Sequence, residues 1–205
     1  MKGSFISFEG IDGCGKSTQI DLLAKYFTTQ NKNFVKTEEP GGTLGSNEIR
    51  KILLRENNFH WSVETETLLF MAARNDHVEK VIKPAIEDNK IVICDRFMDS
   101  TIVYQGMRSP QARKLGLMLF EQIGINPDIT FLIDMDPEVA LNRALNRANN
   151  EDRFENYGIN FQYQLRKNFL NIAHQHSERI KIIDGNRSKE NVAAQIIESI
   201  NNIDL

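Results

Sequence analysis

The stretch Ser4-Phe5-Ile6-Ser7-Phe8-Glu9-Gly10-Ile11-Asp12-Gly13-Cys14-Gly15-Lys16-Ser17-Thr18 decides the fold. Ser4–Glu9 is rich in Phe and Ile and reads as a buried β-strand. Gly10 to Ser17 has the spacing G-x-x-x-x-G-K-[ST], and the residues from Lys16 to about Thr28 read as a helix. A strand, a glycine-rich turn and a helix in that order make a phosphate-binding loop. Its glycines let successive backbone N–H groups converge on phosphate oxygens, and the helix N-terminus adds positive potential. Gly10, Ile11, Asp12, Gly13, Cys14, Gly15, Lys16, Ser17 and Thr18 are therefore expected around a nucleoside triphosphate. Lys16 is expected to reach the β and γ phosphates, and the Ser17 hydroxyl to hold Mg²⁺. Cys14 reads as a small residue in a variable position rather than a redox group.

Working outward, strand and helix signals alternate to the end of the chain. Phe34–Glu38, Ile91–Cys94, Ile129–Asp134 and Ile180–Asp184 are further strand candidates, the third of these five ending at Asp95. Between them lie a helix with Ile49, Ile52 and Leu53 on one face, after the breakers Pro40, Gly41 and Gly42, and a longer helical stretch over Glu64–Ile82. Asp136 followed by Pro137, and Ser188 followed by Glu190, read as helix starts. Strands separated by helices need right-handed crossovers. The expected fold is thus a three-layer α/β domain with a five-stranded, mostly parallel sheet flanked by helices, residues 1–205 forming one unit.

Composition agrees with that class. The chain has 205 residues, 40% of them apolar and 26% charged, which excludes collagen-like, coiled-coil and wholly disordered readings. A net charge of −3 gives no bulk attraction for nucleic acid or an anionic membrane. Two cysteines, Cys14 and Cys94, exclude a disulfide-dense scaffold and a four-cysteine zinc site. With no basic segment at the start and no apolar run near the roughly 20 residues a membrane helix needs, a soluble, cytoplasmic protein without a removable signal is expected.

A phosphate-binding loop does not separate kinase, switch, motor or transporter subunit. The N-K-x-D motif of a guanine-specific switch is missing, since Asn31-Lys32-Asn33-Phe34 and Asn89-Lys90-Ile91-Val92 lack the aspartate, and no L-S-G-G-Q stretch is present. The twelve arginines are more informative. A nucleoside monophosphate carries a second phosphate pKa of about 6, so its attacking oxygen is mostly ionised at pH 7. Its difficulty is repulsion from the donor: unit charges at ~4 Å interact by roughly 4 kcal/mol at an effective dielectric of 20. Permanently charged guanidinium groups between the two anions answer it. Arg96 follows Asp95 at the carboxyl end of a strand, where ligands bind in open α/β sheets. Arg143, Arg147 and Arg153 cluster around the polar loop Asn149-Asn150-Glu151-Asp152, where a lid could bring them down.

The chain as a whole resembles bacterial thymidylate kinases. The resemblance runs through Phe8-Glu9-Gly10 with Asp12-Gly13, then Glu39-Pro40-Gly41-Gly42-Thr43 with Gly45 and Arg50, and Phe70, Arg74 and His77. It continues through Asp95-Arg96-Phe97, Ser100, Thr101, Tyr104 and Gln105 to Asp152-Arg153-Phe154-Glu155. It implies a mobile lid at about residues 143–156, transfer of the γ-phosphoryl group of ATP to dTMP, and a homodimer. It also implies that Arg50 and Arg96 grip the dTMP phosphate, Phe70 stacks on thymine, Arg74 donates to its O4, and Thr101 and Gln105 face the rest of the base. Asp12 would lie near the sugar 3′-hydroxyl and Tyr104 under the sugar. Arg143 resembles the arginine that lies on adenine and Arg147 the one nearer its phosphates. The phosphate loop carries no basic residue at its variable positions, whereas Arg153 does stand in the lid; this resembles the subtype with a catalytic lid arginine. Phe97 replaces the more usual tyrosine, and the segment from Gln105 to Leu115 is short.

Bottom-up geometry bears on these roles. Phe70, Arg74 and His77, spaced i, i+4 and i+7, share one helix face, which leaves Leu68, Met71 and Ala72 available for a core. Thr101, Tyr104 and Gln105 share a face if helical. His77 itself reads as a satisfied structural histidine. In the expected chemistry, Lys16, Arg96 and Arg153 neutralise the transferring group, Ser17 binds Mg²⁺ and Asp95 holds the metal's hydration shell. A kinase for another nucleoside monophosphate or a deoxynucleoside, and a regulator that binds ATP as a signal, are the alternatives.

Overall fold

In a computed structural model, which describes residues 3–54, 61–146 and 157–203, five parallel strands form one sheet in the order β2-β3-β1-β4-β5. The strands are β1 Ser4–Glu9, β2 Phe34–Glu38, β3 Ile91–Asp95, β4 Ile129–Asp134 and β5 Ile180–Asp184. Each therefore closes on an acidic residue at the same edge of the sheet. The helices are α1 Lys16–Thr29, α2 Leu44–Leu54, α3 Val63–His77, α4 Lys83–Glu87, α5 Met98–Tyr104, α6 Pro110–Ile123, α7 Pro137–Leu145, α8 Ile159–Gln175 and α9 Lys189–Asn201.

The period of two along each strand sorts the core into two layers. Ile6, Phe8, Ile91, Ile93, Ile129 and Phe131 pack with Leu23 and Phe27 of α1, Phe169 of α8 and Ile196 of α9. Phe5, Val92 and Cys94 point the other way, against Met71, Val78, Ile82 and Phe97. Apolar residues on both faces are what a sheet covered on both sides requires.

Local chemistry sets the helix starts. Asp136 accepts from the N–H groups of Glu138 and Val139, and Ser188 from that of Asn191, each cap worth about 1 kcal/mol. The stretch Glu64–Ile82 is not one regular helix. Val78–Ile82 widens into a π-helical turn before α4. Pro84 gives the reason: its ring crowds the carbonyl four residues back, and a wider turn relieves the clash. One expectation fails: of Leu68, Met71 and Ala72, only Met71 enters the core, while Leu68 is 49% exposed and Ala72 lies at the surface.

Candidate active site

β1 lies between β3 and β4, so the phosphate loop opens at the carboxyl edge where the crossovers diverge. A cavity of about 280 Å³ sits there. It brings together Asp12, Lys16, Ser17, Arg50, Phe70, Arg74, Asp95, Arg96, Thr101, Tyr104 and Gln105.

The loop is tied to itself and to α7. Lys16 Nζ donates to the carbonyls of Gly10 (3.1 Å) and Ile11 (3.0 Å), which curls the loop around its own lysine. Gly13 has φ +82°, and a Cβ on it would stand 1.9 Å from the carbonyl oxygen of Ala140, so only glycine lets the loop lie on α7. Thr18 is exposed on the first turn of α1. Cys14 is buried, which pushes its thiol up and keeps it protonated.

Arg96 adopts φ +67°, a left-handed conformation that costs a residue bearing a Cβ about 1–2 kcal/mol. Its surroundings enforce it. The Arg96 N–H donates to Phe8 O at 2.9 Å. The next turn is clamped by Glu9, whose Oε1 accepts from Phe97 N (2.8 Å) and Ser100 N (3.2 Å) and whose Oε2 accepts from Ser100 Oγ (2.6 Å). The guanidinium then reaches Gly10 O (2.9 Å), Ser100 Oγ (3.0 Å) and Asp12 Oδ1 (2.5 Å).

The electrostatics follow. Burial and then the charge of Asp99 push the Glu9 carboxyl up to about 7, against the pull of Arg96 and of the hydrogen bonds. Burial works to raise Asp12 too, but Arg96 and then Lys16 overcome it and hold that carboxyl at about 2. Burial raises the Tyr104 phenol well above its usual range, and it donates to Asp12 Oδ2 at 2.7 Å.

At the other end of the cavity, Arg74 is 3% exposed. It donates from Nε to Glu39 Oε2 (2.7 Å) and from Nη1 to Thr101 Oγ1 (3.1 Å), over the ring of Phe97. Gln105 lines the cavity, and its Nε2 is buried without a hydrogen-bond partner among the described residues. Arg50 meets Pro40 O (2.8 Å) and the Glu38 carboxylate (3.1 Å). Asp95 Oδ2 accepts from Ser17 Oγ (3.0 Å), while its Oδ1 is buried and has no hydrogen-bond partner among the described residues. A hydroxyl beside a carboxylate with one idle oxygen suits a hard cation that keeps its waters and takes phosphate oxygens. Among the described residues no three His, Cys, Asp or Glu side chains cluster so that they could hold a metal ion by themselves.

Residues 8–196 match the thymidylate kinase family. The chain belongs to that family. A thymidylate kinase of Ruegeria pomeroyi is 48% identical over 199 residues, 97% of this chain and 94% of its own length. One of Dinoroseobacter shibae is 50% identical over 196 residues, 95% of each. The crystal structure of thymidylate kinase from Ehrlichia chaffeensis has a TM-score of 0.77 at 36% identity, covering 98% of this chain and 99% of the other. With membership of the thymidylate kinase family comes ATP-dependent phosphorylation of dTMP to dTDP.

Not every expected site residue of this family member meets in the cavity. Arg143 is exposed on α7, with Nη1 3.3 Å from Met135 Sδ, and is not among the lining side chains. Arg147, Arg153 and residues 147–156 of the lid expected at about 143–156 lie outside the described residues. His77 is fully buried and bonded at both ring nitrogens. Two carboxylates that hold the site together, Glu9 and Glu39, carry no role in the sequence reading. The available signal was an acidic residue closing β1 and another directly after β2, both at the ligand edge.

Proposed function

We propose that the transfer runs in line from the γ-phosphoryl group of ATP to a phosphate oxygen of dTMP, with Arg50 and Arg96 holding the acceptor. Lys16, Arg96 and Arg153 neutralise the charge that would otherwise keep the two anions apart. The observation that carries this reading is the convergence on one cavity of Lys16, the guanidinium groups of Arg50 and Arg96, and the set Phe70, Arg74, Thr101 and Gln105. The acceptor oxygen is largely ionised at neutral pH, so no general base is needed. Asp12 stays anionic, steers Arg96 and offers its carboxylate to the sugar hydroxyl. Tyr104, kept protonated, forms the floor below the sugar. Ser17 and Asp95 would hold Mg²⁺, directly and through water, and the ion, when bound, supplies further charge neutralisation on the donor phosphates.

The whole chain is read as a single kinase domain in which Arg143 and Arg147 serve the adenine side of ATP. A homodimer is supported by Leu68 on α3 and Leu117 and Met118 on α6, apolar and exposed on two helices packed together. A cytoplasmic setting suits a reaction between two dissolved nucleotides, and among the described residues no helix is long and apolar enough to cross a membrane.

A panel of phosphoryl acceptors with ATP and Mg²⁺ tests the reading. dTMP should be turned over far better than dCMP or AMP, because Arg74 offers donors to a carbonyl and no acceptor to an exocyclic amine, and far better than thymidine, which brings no phosphate for Arg50 and Arg96 to hold. Faster turnover of any of the three overturns the acceptor assignment. Tight nucleotide binding with no acceptor phosphorylated supports a regulator instead.

A further inference from the structure

We propose that His77, acting through Glu39, is a positioning residue for the discrimination of the acceptor base by Arg74; this rests on the reading that Arg74 faces that base. Arg74 has its Nε edge on Glu39 and Nη1 on Thr101, and Nη2 has no partner among the described residues while the residue lines the cavity. A guanidinium selects a carbonyl over an amine only if its free donors are held at one angle. A donor that could swivel would step aside for the wrong base instead of being left unpaired against it.

Glu39 fixes that angle, yet the last torsion of a glutamate is broad, and one bond to Arg74 does not lock it. The second lock is His77. Its Nδ1 lies 3.0 Å from Glu39 Oε1, and its Nε2 lies 2.6 Å from Thr37 Oγ1. A carboxylate only accepts, so Nδ1 carries the proton, an assignment made from its partner. Thr37 is on β2 and His77 on α3, so the ring ties the sheet edge to the helix that bears Arg74. The loop after β2 is shaped around it: Gly42 has φ +84°, and a Cβ there would lie 2.4 Å from the imidazole and 2.7 Å from Thr37 Oγ1. With no exposed surface, His77 touches neither nucleotide and is not a catalytic residue.

The test compares two amides. In His77→Asn the side-chain nitrogen falls near the place of Nδ1 and can still donate to Glu39. In His77→Gln it falls near Nε2 and cannot. The readouts are KM for dTMP, kcat, and the ratio of the dCMP inhibition constant to that KM. His77→Gln should raise KM about tenfold with kcat within about twofold, and lower the ratio about tenfold, as the loss of one oriented charged hydrogen bond implies. His77→Asn should stay within about threefold of the unmodified enzyme in all three. Equal losses in the two variants, or a lowered kcat at constant KM, overturn the proposal. Arg74→Gln separates the layers. If it leaves the ratio unchanged, the base-reading role of Arg74 falls and the proposal with it. If it collapses the ratio while His77→Gln does not, the proposal alone falls. Should neither His77 variant fold, Thr37→Val, which frees the far side of the ring, should raise KM about threefold at constant kcat; an unchanged KM overturns the proposal.

Discussion

Two arginines stand at opposite ends of the cavity in opposite conditions. Arg96 has a left-handed backbone, a side chain 17% exposed, and four oxygen partners, including a carboxylate that itself faces the cavity. Arg74 sits on a regular helix, 3% exposed, against a carboxylate that is almost equally sealed. The contrast fits the roles proposed for the two side chains. A cation that meets a moving phosphoryl group has to be reachable, and a facing anion such as Asp12 keeps it aimed until substrate competes for it. A cation that reads the shape of a base gains from immobility. Strain is stored at the first and absent from the second.

The sharpest way to break that contrast is to delete the two guanidiniums in turn. Arg96→Ala should lower kcat by about 10³-fold or more, as loss of a group that meets transition-state charge does, whereas Arg74→Ala should act mainly on KM. Steady-state kinetics with dTMP checks both, and the same split for the two variants would erase the distinction. Next in size, Arg153→Ala should reduce kcat by about 10²-fold or more while the dTMP dissociation constant moves by less than about threefold, because the role proposed for Arg153 is in the transition state and not in acceptor binding. An unchanged chemical step in single-turnover experiments would remove Arg153 from the chemistry.

The smallest effect concerns the clamp beneath Arg96. The Glu9 carboxyl titrates near 7 when folded and near 4.5 as a free side chain, so the folded state binds the extra proton between those values. Stability from this group is complete below about pH 4.5 and is lost as pH rises through 7. Glu9→Gln removes the dependence. The gap in Tm between the native enzyme and this variant should therefore shift against the native enzyme by a few degrees from pH 5 to pH 7.5, at up to about 1.4 kcal/mol per pH unit. Asp12, held at about 2, titrates outside that window. A gap that stays constant with pH would show that Glu9 is ionised throughout and that the strain at Arg96 is held by geometry alone.

Much of this was legible in the chain. The five strands emerged from apolar runs closed by acidic or glycine residues, and the starts of α7 and α9 from single capping side chains. The phosphate loop and the place of Arg96 at a strand end were legible because spacing alone defines them. The π turn was not, since apolar periodicity is nearly the same for helices of slightly different pitch. Nor was the exposure of Leu68 and Ala72, because an apolar residue on a helix reads alike whether it meets a core or the surface. Glu9 and Glu39 escaped for another reason. Their partners lie 88 residues away at Phe97, and 35 and 38 residues away at Arg74 and His77, distances over which only the folded chain makes neighbours.

The five acidic strand ends have one more consequence. Glu9 is occupied by the Phe97 and Ser100 amides, Glu38 by Arg50, Asp95 by Ser17, Asp134 by Arg166 at 2.6 and 2.8 Å, and Asp184 by Arg187 at 3.0 Å. A bare row of guanidiniums on this rim would be a sink for any sulfate or orthophosphate that drifted by. Set against this palisade of carboxylates, Arg50, Arg166 and Arg187 are already spoken for, and Arg96 is held in the same way by Asp12. Only a visitor that replaces several of these internal partners at once, with phosphate, sugar and base together, gains more than it displaces, so small inorganic anions should be poor inhibitors.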